Sequence, residues 1–119
     1  MTTFRAAALF FAGVCAAPAL AQEVGPAFSV NYACPGGVVV QAAYVNPETG
    51  PSLAVIGWGG KLIPMRDEIA ASGARYAAFG ETNGFVWWTR GDEATLLYVN
   101  PEDMDAEETV LSDCRRIGD

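Results

Sequence analysis

Beyond the first two dozen residues, apolar stretches alternate with Gly- and Pro-rich breaks about every eight to twelve residues, a spacing typical of short strands in a sandwich or barrel. Residues 28–33 and 38–44 are rich in β-branched and aromatic side chains and are separated by the turn Cys34-Pro35-Gly36-Gly37. After the loop Asn46-Pro47-Glu48-Thr49-Gly50-Pro51, residues 53–56 and 61–65 read as strands around the turn Trp58-Gly59-Gly60. Residues 85–89 form the most strand-like stretch; the preceding Asn83-Gly84 is a hairpin signal, and Gly91-Asp92 turns the chain into a strand at 94–99. The last strand is expected at 110–114. Only residues 66–71 have helical character, and that segment is short.

The pattern predicts an all-β fold of seven or eight antiparallel strands, with no internal repeat and no second domain. Closing the strands into a small barrel removes exposed edges, which would otherwise template pairing with other chains.

The first 21 residues follow a different pattern. Arg5 precedes an almost purely apolar stretch at 6–17, and Ala19-Leu20-Ala21 has the small-x-small form of a signal-peptidase site. The apolar run is shorter than the roughly 20 residues a membrane-spanning helix needs. Residues 1–21 are therefore expected to be a cleaved signal peptide and residues 22–119 the exported domain. A lipoprotein processed at Cys15 is disfavoured because Val14, rather than a small residue, precedes it.

Cleavage removes Arg5 and no acid, leaving six basic against fourteen acidic residues, a net charge of about −8 at neutral pH. Such a chain repels nucleic acid and anionic lipid, and its field accelerates encounter with a basic protein. Cleavage also leaves two cysteines, Cys34 and Cys114, which in an exported chain read as one disulfide closing nearly the whole domain.

No histidine is present, which removes the commonest general base and metal ligand, and no zinc spacing survives. The acids of residues 101–108 read as a solvated loop, because the Asp-x-Asp-x-Asp-Gly pattern of a calcium loop is absent. No cofactor or metal is expected.

Two segments stand out: Ser72-Gly73-Ala74-Arg75-Tyr76, small residues followed by a charge and an aromatic, and Trp88-Thr89-Arg90-Gly91-Asp92-Glu93-Ala94, an aromatic strand that ends on a cation. Each alone is compatible with an ordinary connection or hairpin. Together with Tyr32-Ala33-Cys34, Gly36 or Gly37, and the terminal Cys114, they resemble the membrane-bound and periplasmic c-type lysozyme inhibitors of Gram-negative bacteria. The likeness spans roughly residues 28–114. It implies an eight-stranded antiparallel barrel with a disulfide between the first strand and the C-terminus, no enzymatic activity, and a c-type lysozyme as partner.

In that family the serine of an SGxxY motif and the lysine of a WxKG motif reach the lysozyme's catalytic carboxylates; Ser72 and Arg90 are the matching positions. Gly73 and Tyr76 complete the first motif, with Tyr76 expected to support the loop. Arg90 departs from the family's lysine. It keeps the charge but presents a wider, planar head.

Two other classes compete: a barrel enclosing a small apolar ligand, and a carboxylate-pair hydrolase. The first is disfavoured because Trp and Phe side chains are expected to fill so small an interior, the second because no acid sits in a catalytic motif. A homodimer is left open.

Overall fold

The computed structural model describes residues 26–118; the signal-peptide reading, Cys15 and the cleavage point before Gln22 lie outside the described residues. Eight strands follow one another: β1 (Ala27–Cys34), β2 (Val38–Val45), β3 (Leu53–Trp58), β4 (Lys61–Glu68), β5 (Ala74–Ala78), β6 (Phe85–Arg90), β7 (Glu93–Val99) and β8 (Glu107–Ile117). Each pairs antiparallel with the next, and β8 pairs back on β1, so the sheet is a closed barrel. The eight-stranded barrel with one disulfide is as expected.

The strands hold because side chains alternate between the two faces of a pleated ribbon. Along β2, Val40, Ala42 and Tyr44 point inward while Val39, Gln41 and Ala43 point out. The interior is filled by Trp87, Ile56, Ile63, Met65 and Leu96, with Tyr32, Tyr44 and Tyr76 toward one mouth. The large aromatic volume thus comes from Trp and Tyr more than from Phe. The Tyr32 and Tyr44 hydroxyls hydrogen-bond each other at 2.8 Å, and Trp87 Nε1 donates to Tyr44 Oη at 2.9 Å. Burial, with the Tyr32 hydrogen bond, pushes the Tyr44 phenol far above its ordinary range, so it stays neutral.

Two expectations about local structure are corrected. Residues 66–71 form no helix: Arg66, Asp67 and Glu68 belong to β4, paired with Ala77, Tyr76 and Arg75. A single helical turn is costly to nucleate, whereas here two neighbouring strands already satisfy the backbone. Residues 74–76, read as part of a loop, begin β5. Tyr76 faces the core and Arg75 the solvent side, the alternation of a strand. The small residues around them hid that period. The acidic run is a compact connection at residues 100–106, and its last acids enter β8. Among the described residues no group of three or more acids or cysteines converges to hold a metal ion.

The disulfide joins Cys34 at the end of β1 to Cys114 in β8. It lies on the seam that closes the barrel, where β1 and β8 share three residue pairs, against eight between β1 and β2.

Candidate functional site

In a barrel of consecutive antiparallel strands, connections alternate between the two ends. The β4–β5 connection, carrying Ser72 and Gly73, and the β6–β7 connection, at Arg90-Gly91-Asp92, therefore share one end. They are also neighbours around the rim, because β5 and β6 pair directly, with Ala74 opposite Thr89 and Arg75 opposite Trp88.

Two contacts lock the connections together. Trp88 Nε1 donates to the Ser72 carbonyl oxygen at 2.9 Å. Gly73 has φ of +69° and packs so closely on β6 that a Cβ there would overlap the Thr89 carbonyl oxygen and come within 2.8 Å of Arg90 Cγ. Glycine is required at this position for conformation and for space. Gly73→Ala is therefore expected to destabilise the protein by about 1–3 kcal/mol through backbone strain and displacement of the loop. A urea midpoint equal to that of the wild type would show that the loop relaxes freely.

Ser72 and Arg90 are both exposed. The Arg90 guanidinium stacks over the Trp88 ring, 4.3 Å from its centroid, and no carboxylate pairs with it among the described residues. Arg75 contrasts with it. Its guanidinium lies 5.3 Å from the Trp88 ring centre, bonds Glu68 at 2.6 Å and reaches Glu107 at 3.5 Å, with only 20% of its side chain exposed. Trp88 thus lies against two guanidinium groups, one tied down by carboxylates and one free to accept a partner's charge. Cation–π contact of this kind orients a guanidinium without neutralising it.

Of the expected site residues, Ser72, Gly73 and Arg90 come together at one corner of the rim. Tyr76 does not join that surface. It is buried, its ring centre 5.6 Å from that of Tyr44, and burial raises its phenol above the ordinary range. Its role is to hold the start of β5, and with it the end of the loop, against the core. Trp88 was not expected as a site residue. The signal was present, because on a strand a residue two positions before Arg90 shares its face.

The corner is exposed. A shallow hollow of about 110 Å³ lies beside Arg90, lined by Trp88, Glu93, Ala94 and Thr95, and the barrel mouth at this end, about 160 Å³, is where Tyr32, Tyr44 and Tyr76 meet Gly91 and Arg116. The largest hollow, about 640 Å³, lies on the outer wall between β4–β6 and the 100–106 connection, and includes Arg75 and Trp88 but neither Ser72 nor Arg90.

The family described as "Membrane-bound lysozyme-inhibitor of c-type lysozyme" matches residues 32–105. A membrane-bound lysozyme inhibitor of C-type lysozyme from Cupriavidus necator is 35% identical over 112 residues, 87% of this chain and 82% of that protein. The Pseudomonas aeruginosa protein of the same name is 39% identical over 69 residues, 57% of this chain and 50% of that one. Among solved structures, the periplasmic lysozyme inhibitor PliC-St of Salmonella typhimurium superposes with a TM-score of 0.64 at 30% identity, covering 78% of this chain and all of that one. Pseudomonas aeruginosa MliC, solved in complex with hen egg white lysozyme, gives 0.60 at 28% identity, covering 88% and 98%. With sequence motifs, barrel topology and disulfide in agreement, the chain belongs to the family of membrane-bound lysozyme inhibitors of c-type lysozyme.

Proposed function

We propose that this protein inhibits c-type lysozymes by placing the Ser72 hydroxyl and the Arg90 guanidinium in the enzyme's active-site cleft. One observation carries the reading: two motif residues 18 positions apart in sequence are held at one exposed corner by the Trp88–Ser72 hydrogen bond and the Gly73 contact. Lysozymes of this type cleave with a carboxylic acid and a carboxylate flanking the glycosidic bond. A hydroxyl can hydrogen-bond one, and a guanidinium can pair with the other where water is largely excluded. Blocking both removes the acid and the nucleophile at once. In this role the chain supplies no reactive group of its own. Titration of the mature protein into a lysis assay with a c-type lysozyme tests the reading; undiminished lysis at stoichiometric excess rejects it.

The proposed location is the periplasm, in soluble form after cleavage at Ala21. It rests on the N-terminal sequence pattern and agrees with the family's periplasmic members.

Charge bears on how the complex forms. A domain of net charge about −8 meeting a basic enzyme is steered by long-range attraction, which salt screens over a Debye length of about 10 Å at 0.1 M. The association rate is expected to fall roughly tenfold between about 0.05 M and 0.5 M salt, with dissociation nearly constant. Stopped-flow association at the two ionic strengths measures this; equal rates would mean that net charge plays no part.

A small-ligand barrel finds no support in the geometry. The interior is packed, and the mouth hollow is well below the roughly 300 Å³ at which ligand sites begin.

A further inference from the structure

Ile69 is 99% exposed, on the connection that carries Ser72. An isolated exposed apolar residue is ordinary on a protein surface, so its surroundings must decide whether this one means anything. Phe79, also exposed, lies beneath the Arg66 guanidinium, 4.7 Å from its ring centre. Val39 and Leu62 share a shallow patch with Trp58 at the barrel's other end. Ile69 is the most exposed of the large apolar residues described, and its position differs from theirs. Between Glu68 and Arg75 the chain reads Ile69-Ala70-Ala71-Ser72-Gly73-Ala74, without a charge, in a strongly acidic protein. That uncharged knuckle is seated on Trp88 through the Ser72 carbonyl and pinned by Gly73 against Thr89.

We infer that Ile69 is the apolar anchor of the inhibitory surface, buried against an apolar wall of the partner's cleft when Ser72 enters it. The inference rests on the lysozyme reading and extends it to a residue outside both motifs. The partner's chemistry fits. A cleft that binds a polysaccharide presents apolar surface to the faces of sugar rings beside the polar groups that take their hydroxyls. An uncharged knuckle can cover that surface without stranding a charge, whereas an acid at residue 69 would face the catalytic carboxylates. Binding energy concentrates at the desolvated centre of an interface, and Ile69 would share that centre with Arg90. The loop is already held in the free protein, so little freedom is lost on docking.

The test uses Ile69→Ser, a change at a side chain with almost no contacts in the free protein, so its melting temperature is expected to match the wild type. Binding to a c-type lysozyme by surface plasmon resonance is expected to weaken about tenfold or more, chiefly through faster dissociation. Ile69→Leu should restore most of the loss, because it returns apolar area. Leu62→Ser, an equal polar substitution at a 74% exposed site on the opposite end, should bind as the wild type does. Wild-type affinity in Ile69→Ser, or an equal loss in Leu62→Ser, overturns the inference while leaving the lysozyme reading intact. Wild-type protein that does not bind lysozyme defeats the reading and the inference together.

Discussion

Arg90→Ala is expected to weaken lysozyme inhibition by about 2–5 kcal/mol, the largest effect of any single contact proposed here. Most of that cost arises on the enzyme, where a catalytic carboxylate would be left desolvated with no counter-charge. In the free inhibitor Arg90 is exposed, carries no ion pair among the described residues and rests on the Trp88 ring, so its removal should leave folding nearly untouched. Ser72→Ala should cost less, about 0.5–1.5 kcal/mol, the value of one hydrogen bond. Arg90→Lys restores the family's residue and should keep inhibition. It retains the charge and a cation–π contact with Trp88 while giving up the bidentate fork. Inhibition constants for the four proteins, with urea midpoints as the folding control, make the comparison. A solvated surface arginine would be worth almost nothing. Full inhibition by the Ser72→Ala, Arg90→Ala double variant would therefore move the interface elsewhere on the barrel.

Removing the disulfide as Cys34→Ala, Cys114→Ala should cost about 4.5–5 kcal/mol of folding stability. The cysteines stand 80 positions apart in sequence, so the bridge restrains nearly the whole unfolded chain, and the chain-entropy model gives about 4.5 kcal/mol for such a loop. The position adds to the effect. The bridge crosses the β1–β8 seam, where three residue pairs close the barrel, and both cysteines are buried. Alanine leaves no buried thiol or hydroxyl in their place. For a domain this small, total stability is about 5–15 kcal/mol, so the loss would leave a marginal fold at body temperature. Chemical denaturation of the two proteins measures it. A change under about 1 kcal/mol would mean that core packing alone holds the seam. The intact mass of the exported wild type, two hydrogens lighter than the reduced chain from Gln22, checks the bridge and the proposed start in one measurement.

The barrel and its staple were legible because they depend on local rules. Strand period, turn residues and the two cysteines that remain after the expected cleavage are properties of neighbouring positions or of composition, and they marked seven strands and the Cys34–Cys114 pair. The eighth strand was not legible. In β5, Ala74, Ala77 and Ala78 carry too little side-chain volume to mark a period, and the strand is specified by pairing with Asp67 and Glu68 on one side and with β6 on the other. Its absence matters to the site, because the count of strands decides which connections share an end of a barrel. Motif resemblance could name Ser72 and Arg90, and could mark Tyr76, but only closure of the sheet makes the first two neighbours and turns Tyr76 inward. The sequence by itself determined a disulfide-closed antiparallel barrel and the residue types at the corner that carries Ser72 and Arg90. Tertiary structure alone decided that Trp88 holds Ser72 by its N–H and Arg90 by its face, that Gly73 must lack a Cβ, and that Ile69, on the same connection as Ser72, stands in water. Those facts depend on distances between strands, which no local pattern encodes.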